Sequence, residues 1–180
     1  LGHASGEHRQ LTLAEMAVHF EPQRLQRASA HFDPVQLRHW QGLWARSLTP
    51  QAAQHWLEPF FPPAADPAQR AAAVTALLPN IVAASELAGW LPVVFGGELS
   101  WEPEARAAAA GAGADFFRAA AAAPDVTELA ALRAASGRHG VAFFAPLRAA
   151  LTGRLHGPEL APLLKAMSPQ LVRERLAQWS

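Results

Sequence analysis

The sequence predicts an all-α protein, and three observations predict it. A capping side chain followed by proline recurs at Asp33-Pro34, Thr49-Pro50, Asp66-Pro67 and Ser168-Pro169. Each pair supplies an oxygen for the free N–H groups of a first helical turn and a proline where no N–H is needed. Between these marks apolar residues recur at helical spacing, as in Leu37, Trp40 and Trp44. Strict apolar–polar alternation is nearly absent. Leu91-Pro92-Val93-Val94-Phe95 is the one strand candidate, and its proline weakens it.

The 180 residues suffice for one large or two small domains with real cores, and 51% of them are apolar. A disordered tail is excluded. With 15 basic and 15 acidic residues the formal charge is +0. A general nucleic-acid coat would be more basic, so any RNA contact is local or most of the affinity comes from elsewhere. Cysteine is absent, which removes disulfides and thiolate metal sites and gives no sign of secretion; a cytoplasmic protein is expected. No uninterrupted apolar run reaches the ~20 residues of a membrane span. The first residues have no signal-peptide layout and no initiator Met, and the chain reads as part of something longer.

In chain order, Thr12 with Glu15 predicts a capping box. Asp33 predicts a helix whose stripe of Leu37, Trp40 and Trp44 is core by default. Residues 60–66, FFPPAAD, form a proline-rich connector, and a second break falls near Gly96 to Ser100. The alanine-rich tract from Ala105 to Ala123, interrupted by Gly111 and Gly113, reads as two packed helices with small contact residues. Asp125 with Glu128 predicts another capping box, ahead of Val126, Leu129 and Leu132. Leu171, Leu176 and Trp179 mark the last helix. These breaks divide the chain into 1–48, 49–99 and 100–180.

The most informative stretch runs from Gly140 to Leu164. Pro146 fits a first helical turn, and Leu147 and Leu151 share one apolar face. Arg148 lies off that stripe. Gly153 ends the helix and Gly157-Pro158 starts the next, continued by Leu160, Leu163 and Leu164. Arg148, Thr152, Arg154 and His156 crowd the polar loop between the two helices. Such a loop suits a single-stranded nucleic acid.

No catalytic centre is visible. The eight histidines do not form the spaced pairs that zinc hydrolases use, and no metal site is expected. Gly111-Ala112-Gly113 follows no strand and lacks a third glycine, so it reads as a helix break rather than a phosphate loop. Lys165-Ala166-Met167-Ser168 faintly echoes the KMSKS loop of class I synthetases, but it sits at a helix end without the second lysine. No serine sits in a nucleophile elbow.

Two sets of residues resemble bacterial glutamyl-tRNA synthetases. Pro146-Leu147-Arg148-Ala149-Ala150-Leu151-Thr152-Gly153, Gly157-Pro158-Glu159-Leu160 and Arg173-Glu174-Arg175-Leu176 match a G-x-x-x-x-PLR-x-ALTG, P-x-L and ER-x-x-x-RL pattern near the family's C-terminus. Ser29-Ala30-His31-Phe32-Asp33 and Gln36-Leu37 resemble its S-x-A-x-FD-x-x-KL element, and Leu11 to Met16 its SLEEL helix. His39 and Gln41 stand where the family has tryptophan and asparagine. The resemblance implies a multi-helical anticodon-binding region, a helical bundle followed by a second small cage-like helical domain. It implies that Arg148, Gly157, Pro158 and Leu160 contact the anticodon loop of glutamate tRNA. It also places Asn80 where discriminating enzymes carry an arginine that reads the third anticodon base. ATP, with magnesium, would act in an upstream domain of the parent ligase. The chain itself is then expected to hold no cofactor, to be inactive alone, to be monomeric, and to bind neither DNA nor membrane. The alternative is a helical protein-interaction module without nucleic-acid binding, docking through the alanine-rich tract.

Overall fold

The structure is a computed structural model that describes residues 11–25 and 32–180. The Ser29 to His31 part of the N-terminal motif, together with His3 and His8, lies outside them. Helix starts follow the local hydrogen bonds that the sequence encodes. Helix α1 (Leu13–His19) opens on a complete capping box: Thr12 Oγ1 accepts from Glu15 N at 3.2 Å, and Glu15 Oε2 accepts from Thr12 N at 2.7 Å. Asp33 caps α2 (Pro34–Ser47), its Oδ1 accepting from Val35 N and Gln36 N. Thr49 caps α3 (Pro50–Leu57), and Asp66 caps α4 (Pro67–Leu77). Short 3-10 turns at Leu78–Asn80 and Ala84–Gly89 lead into α5 (Leu91–Phe95). Then come α6 (Pro103–Ala112), α7 (Ala114–Ala121), α8 (Leu129–Ser136) and α9 (Val141–Thr152). The chain closes with α10 (Leu160–Ala166) and α11 (Pro169–Ala177), the latter capped by Ser168. The all-α expectation holds, and no strand occurs among the described residues.

Five local expectations are corrected. Leu91–Phe95 is helix, not strand: Pro92 presets a helical φ, and the N–H groups of Val93 and Val94 both donate to Trp90 O. Asp125 makes no capping box with Glu128. Its Oδ1 instead accepts from Thr127 N at 2.8 Å and Thr127 Oγ1 at 2.7 Å, an Asx turn that holds its carboxyl below the usual range. The helix waits until Leu129, and Glu128 pairs with Lys165. Pro146 lies inside α9, because Gly140 at φ 56° lets the helix begin at Val141. Pro146 has no N–H to give the Ala142 carbonyl one turn back, and Ala142 is an exposed residue. Gly157-Pro158 precedes α10 rather than starting it, and Glu159 takes the cap position. Finally, the α2 stripe is not core. Leu37 and Trp44 are 45% and 44% exposed, whereas Gly42 and Ala45 are the buried residues of that helix. Trp44 meets Trp56 edge-on with ring centroids 5.0 Å apart.

One apolar cluster runs from Ala53 to Leu176. Its alanines set the spacing of the helices. Ala105, Ala109 and Ala112 form a buried edge of α6, which packs along α9, where Ala149 and Ala150 are buried too. Helix α7 brings Phe116 and Phe117 against α8 and α11. The alanine-rich tract is thus two helices, broken at Gly113 (φ 80°), but each packs on different neighbours. Gly111 stays within α6. Helix α10 lies on α4, which joins the C-terminal helices to the early ones.

Candidate nucleic-acid interface

The loop after α9 is held from three sides. Gly153 closes the helix at φ 72°, and a Cβ there would stand 2.5 Å from Ser100 O, so the sequence must place glycine at this point. Its carbonyl accepts from Glu102 N at 2.9 Å, and Glu102 Oε2 accepts from Leu155 N at 3.1 Å. Thr152 is buried. Its hydroxyl donates to Arg148 O at 2.8 Å and accepts from Arg154 N at 3.1 Å, which turns the chain out of the helix. At the far end Gly157 (φ 142°) rests against the Trp90 ring, where a Cβ would come within 2.4 Å of Cη2.

Arg148 bridges the mouth of this loop. Leu147 and Leu151 are fully buried, and Arg148, off their stripe, is half-buried. Its Nη1 donates to Pro158 O at 2.5 Å, and burial lowers its pKa from the usual value. The side chain therefore fastens the loop as well as bordering it. Pro158 and Leu160 are buried and support the loop from below, while Gly157 is exposed. Asn80 is also exposed, at the end of the 3-10 turn on which α2 rests. Among the described residues no hydrogen bond or ion pair joins Asn80 to the Arg148 loop. The structure brings together Arg148, Gly157, Pro158 and Leu160, and leaves Asn80 outside that hydrogen-bonded unit.

Two further residues build the site. Arg154 lies over Trp90 with its guanidinium carbon 4.5 Å from the ring centroid, and it donates to Gly89 O at 3.3 Å. Arg175, only 2% exposed, donates from Nη1 to Leu151 O at 2.8 Å and from Nη2 to Pro92 O at 2.5 Å. Burial without a counter-charge pushes its pKa down to about 10. It ties α11 to the end of α9 and to α5, directly behind the loop. No local signal announces Trp90, which meets the loop from a distant part of the sequence. No group of metal-ligating side chains occurs among the described residues, and no described helix is long and apolar enough to cross a membrane.

This loop sits inside a recognisable frame: residues 47–179 match the family model described as the anticodon binding domain. The chain belongs to that family. Among relatives, a glutamate–tRNA ligase 1 of Halorhodospira halophila is 37% identical over 98% of this chain and 38% of its own length. A glutamate–tRNA ligase 1 of Methylococcus capsulatus is 35% identical over 100% of this chain and 40% of its own length. The chain thus spans about two fifths of the length of these ligases. A solved glutamate–tRNA synthetase from Elizabethkingia anophelis superposes with a TM-score of 0.74 over 93% of this chain and 36% of that one, at 14% identity. That likeness shows a shared fold. The anticodon-binding frame therefore includes every helix from α3 onward together with the loop at Thr152 to Pro158.

Proposed function

We propose that this chain is the anticodon-recognising part of a glutamate–tRNA ligase. Its partner is glutamate tRNA, read at the anticodon loop. Activation of glutamate with ATP and magnesium belongs to the remainder of the ligase. The protein acts as a monomer in the cytoplasm.

The observation that carries this reading is the rigid cationic loop from Thr152 to Pro158 at the centre of an anticodon-binding frame. Arg148 uses Nη1 on Pro158 O and keeps further guanidinium N–H groups for a base edge or phosphate. Asn80 would supply a polar amide near the third base, in place of a fixed cation. A neutral amide fixes a base edge less firmly than a forked guanidinium does, so discrimination against glutamine tRNA would be relaxed.

Fluorescence anisotropy tests the reading. The full-length ligase is titrated into a glutamate tRNA transcript and into the same transcript carrying an unrelated anticodon. The swap should weaken binding by about tenfold or more, the loss of one or two base contacts. Equal affinity for both transcripts would overturn the proposal. It would favour instead a protein-interaction module, for which the exposed Leu13, Val18 and Val35 of α1 and α2 are the specific observation.

A further inference from the structure

We infer that Arg154, whose guanidinium carbon sits 4.5 Å from the Trp90 ring centroid, is a stacking platform for one base of the anticodon loop, an assignment that rests on the function proposed above. Four observations lead to it. First, Arg154 is fixed before any ligand arrives: its backbone N–H is held by Thr152 Oγ1, its guanidinium donates to Gly89 O, and its guanidinium carbon sits over the Trp90 ring. The rotamer entropy of a long side chain is therefore already lost. Second, Trp90 is only 8% exposed, anchored in the apolar core, so the platform has a rigid base. Third, the residue is half-buried, so it keeps solvent-accessible surface while its guanidinium carbon sits over the indole. Fourth, Arg154 has no carboxylate partner among the described residues, and its charge is matched only by a ring and a backbone carbonyl.

Gly157 completes the device. It lets the loop press onto the edge of the same indole, so Trp90 carries Arg154 on its face and Gly157 at its rim. Arg154 thus lies in the same loop as the Arg148–Pro158 clamp, with part of its surface open to solvent. A splayed base stacks on an Arg plane as it does on an aromatic ring, and the positive charge also favours the adjoining phosphate. Guanidinium planarity is the property this role needs; an ammonium supplies the charge without the plane.

The experiment compares full-length ligase with its R154A and R154K variants against a glutamate tRNA transcript. A second set of transcripts is abasic at each anticodon position in turn. R154A should raise the Kd and the KM for tRNA by about tenfold, with kcat and the ATP KM unchanged. R154K should recover less than half of that loss on a logarithmic scale. At one anticodon position the abasic transcript should cost wild type the same factor and cost R154A nothing more. Thermal unfolding of R154A within a few degrees of wild type separates binding from folding. If R154K restores wild-type affinity, stacking is wrong and only charge matters. If R154A binds normally while the anticodon swap still weakens binding, this inference fails and the proposed function stands. If the swap has no effect on the wild type, both fall.

Discussion

Arg148 and Arg175 are both cations held by backbone carbonyls, and their burial decides what removing them does. A solvated arginine beside a helix could be deleted at little cost, which is how Arg148 reads from its neighbours in sequence. The structure instead puts it half-buried on Pro158 O. Arg148→Ala should therefore cost about 1–2 kcal/mol of stability, measured by urea denaturation, because a part-buried carbonyl loses its charged donor. In the full-length ligase the same change should weaken tRNA use by a further 1–3 kcal/mol while the KM for ATP and for glutamate stays put. Arg148→Lys should rescue only part of it, since a point charge cannot fork to a base edge. Unchanged aminoacylation at limiting tRNA, in a variant that folds, would remove Arg148 from the interface.

Arg175 makes the contrasting case. Its pKa of about 10 lies below the usual guanidinium value, so the folded state disfavours the charged form. Between those two values the unfolded chain holds more protons, and stability from this group rises with pH. Below about pH 10 the guanidinium is charged in both states, and its burial cost is constant. Arg175→Met should therefore change stability by an amount that is the same at pH 7 and pH 9. The sign expected is a loss of about 1–3 kcal/mol, because Leu151 O and Pro92 O are left without donors. A difference that drifts between those pH values would show that another titrating group responds to Arg175.

At the scale of elements, what the sequence made legible was local. The Thr49, Asp66 and Ser168 caps each bond to an N–H two or three residues away, so a short window contains both partners. Asp66→Ala should cost about 1 kcal/mol, read from chemical denaturation, with no change in far-UV circular dichroism. The failures have the same origin. Asp125 could bond its own Thr127 or the N3 position, and the shorter loop won. Leu91–Phe95 looked strand-like because Val and Phe carry that preference, yet the preceding 3-10 turn and Pro92 had already set a helical course. The α2 stripe has helical spacing, but Leu37 stays exposed and Trp44 is met only edge-on by Trp56; periodicity gives the face, not its partner. The candidate loop was visible at Arg148 and at Gly153 to Pro158. Its floor was not, since Trp90 and Gly89 meet it from 65 residues away. Gly157→Ala tests that hidden contact. A Cβ pressed on Trp90 at φ 142° should lower stability by about 1–3 kcal/mol and loosen the loop. A variant as stable as wild type would mean the loop can lift away from the indole.

For the whole molecule, the balance of charge limits how the proposed tRNA partner can be held. Fifteen basic and fifteen acidic residues leave no broad cationic field, and Arg38, Arg70, Arg118 and Lys165 are already paired with carboxylates. The continuous core from Ala53 to Leu176 fixes the loop, so affinity must come from a few placed groups rather than from many phosphates. Each phosphate neutralised on single-stranded RNA contributes about −0.7 to the slope of log K against log salt. With Arg148 and Arg154 as the principal contacts, the chain titrated against a glutamate tRNA transcript should bind weakly, with a slope of about −1 to −2. Removing Arg148 should flatten that slope by up to about one unit if it meets a phosphate, and leave it nearly unchanged if it meets a base edge. The slope therefore distinguishes the two contacts open to this guanidinium, which affinity alone cannot do. A slope steeper than about −4 would require a phosphate-neutralising surface that the paired cations do not provide.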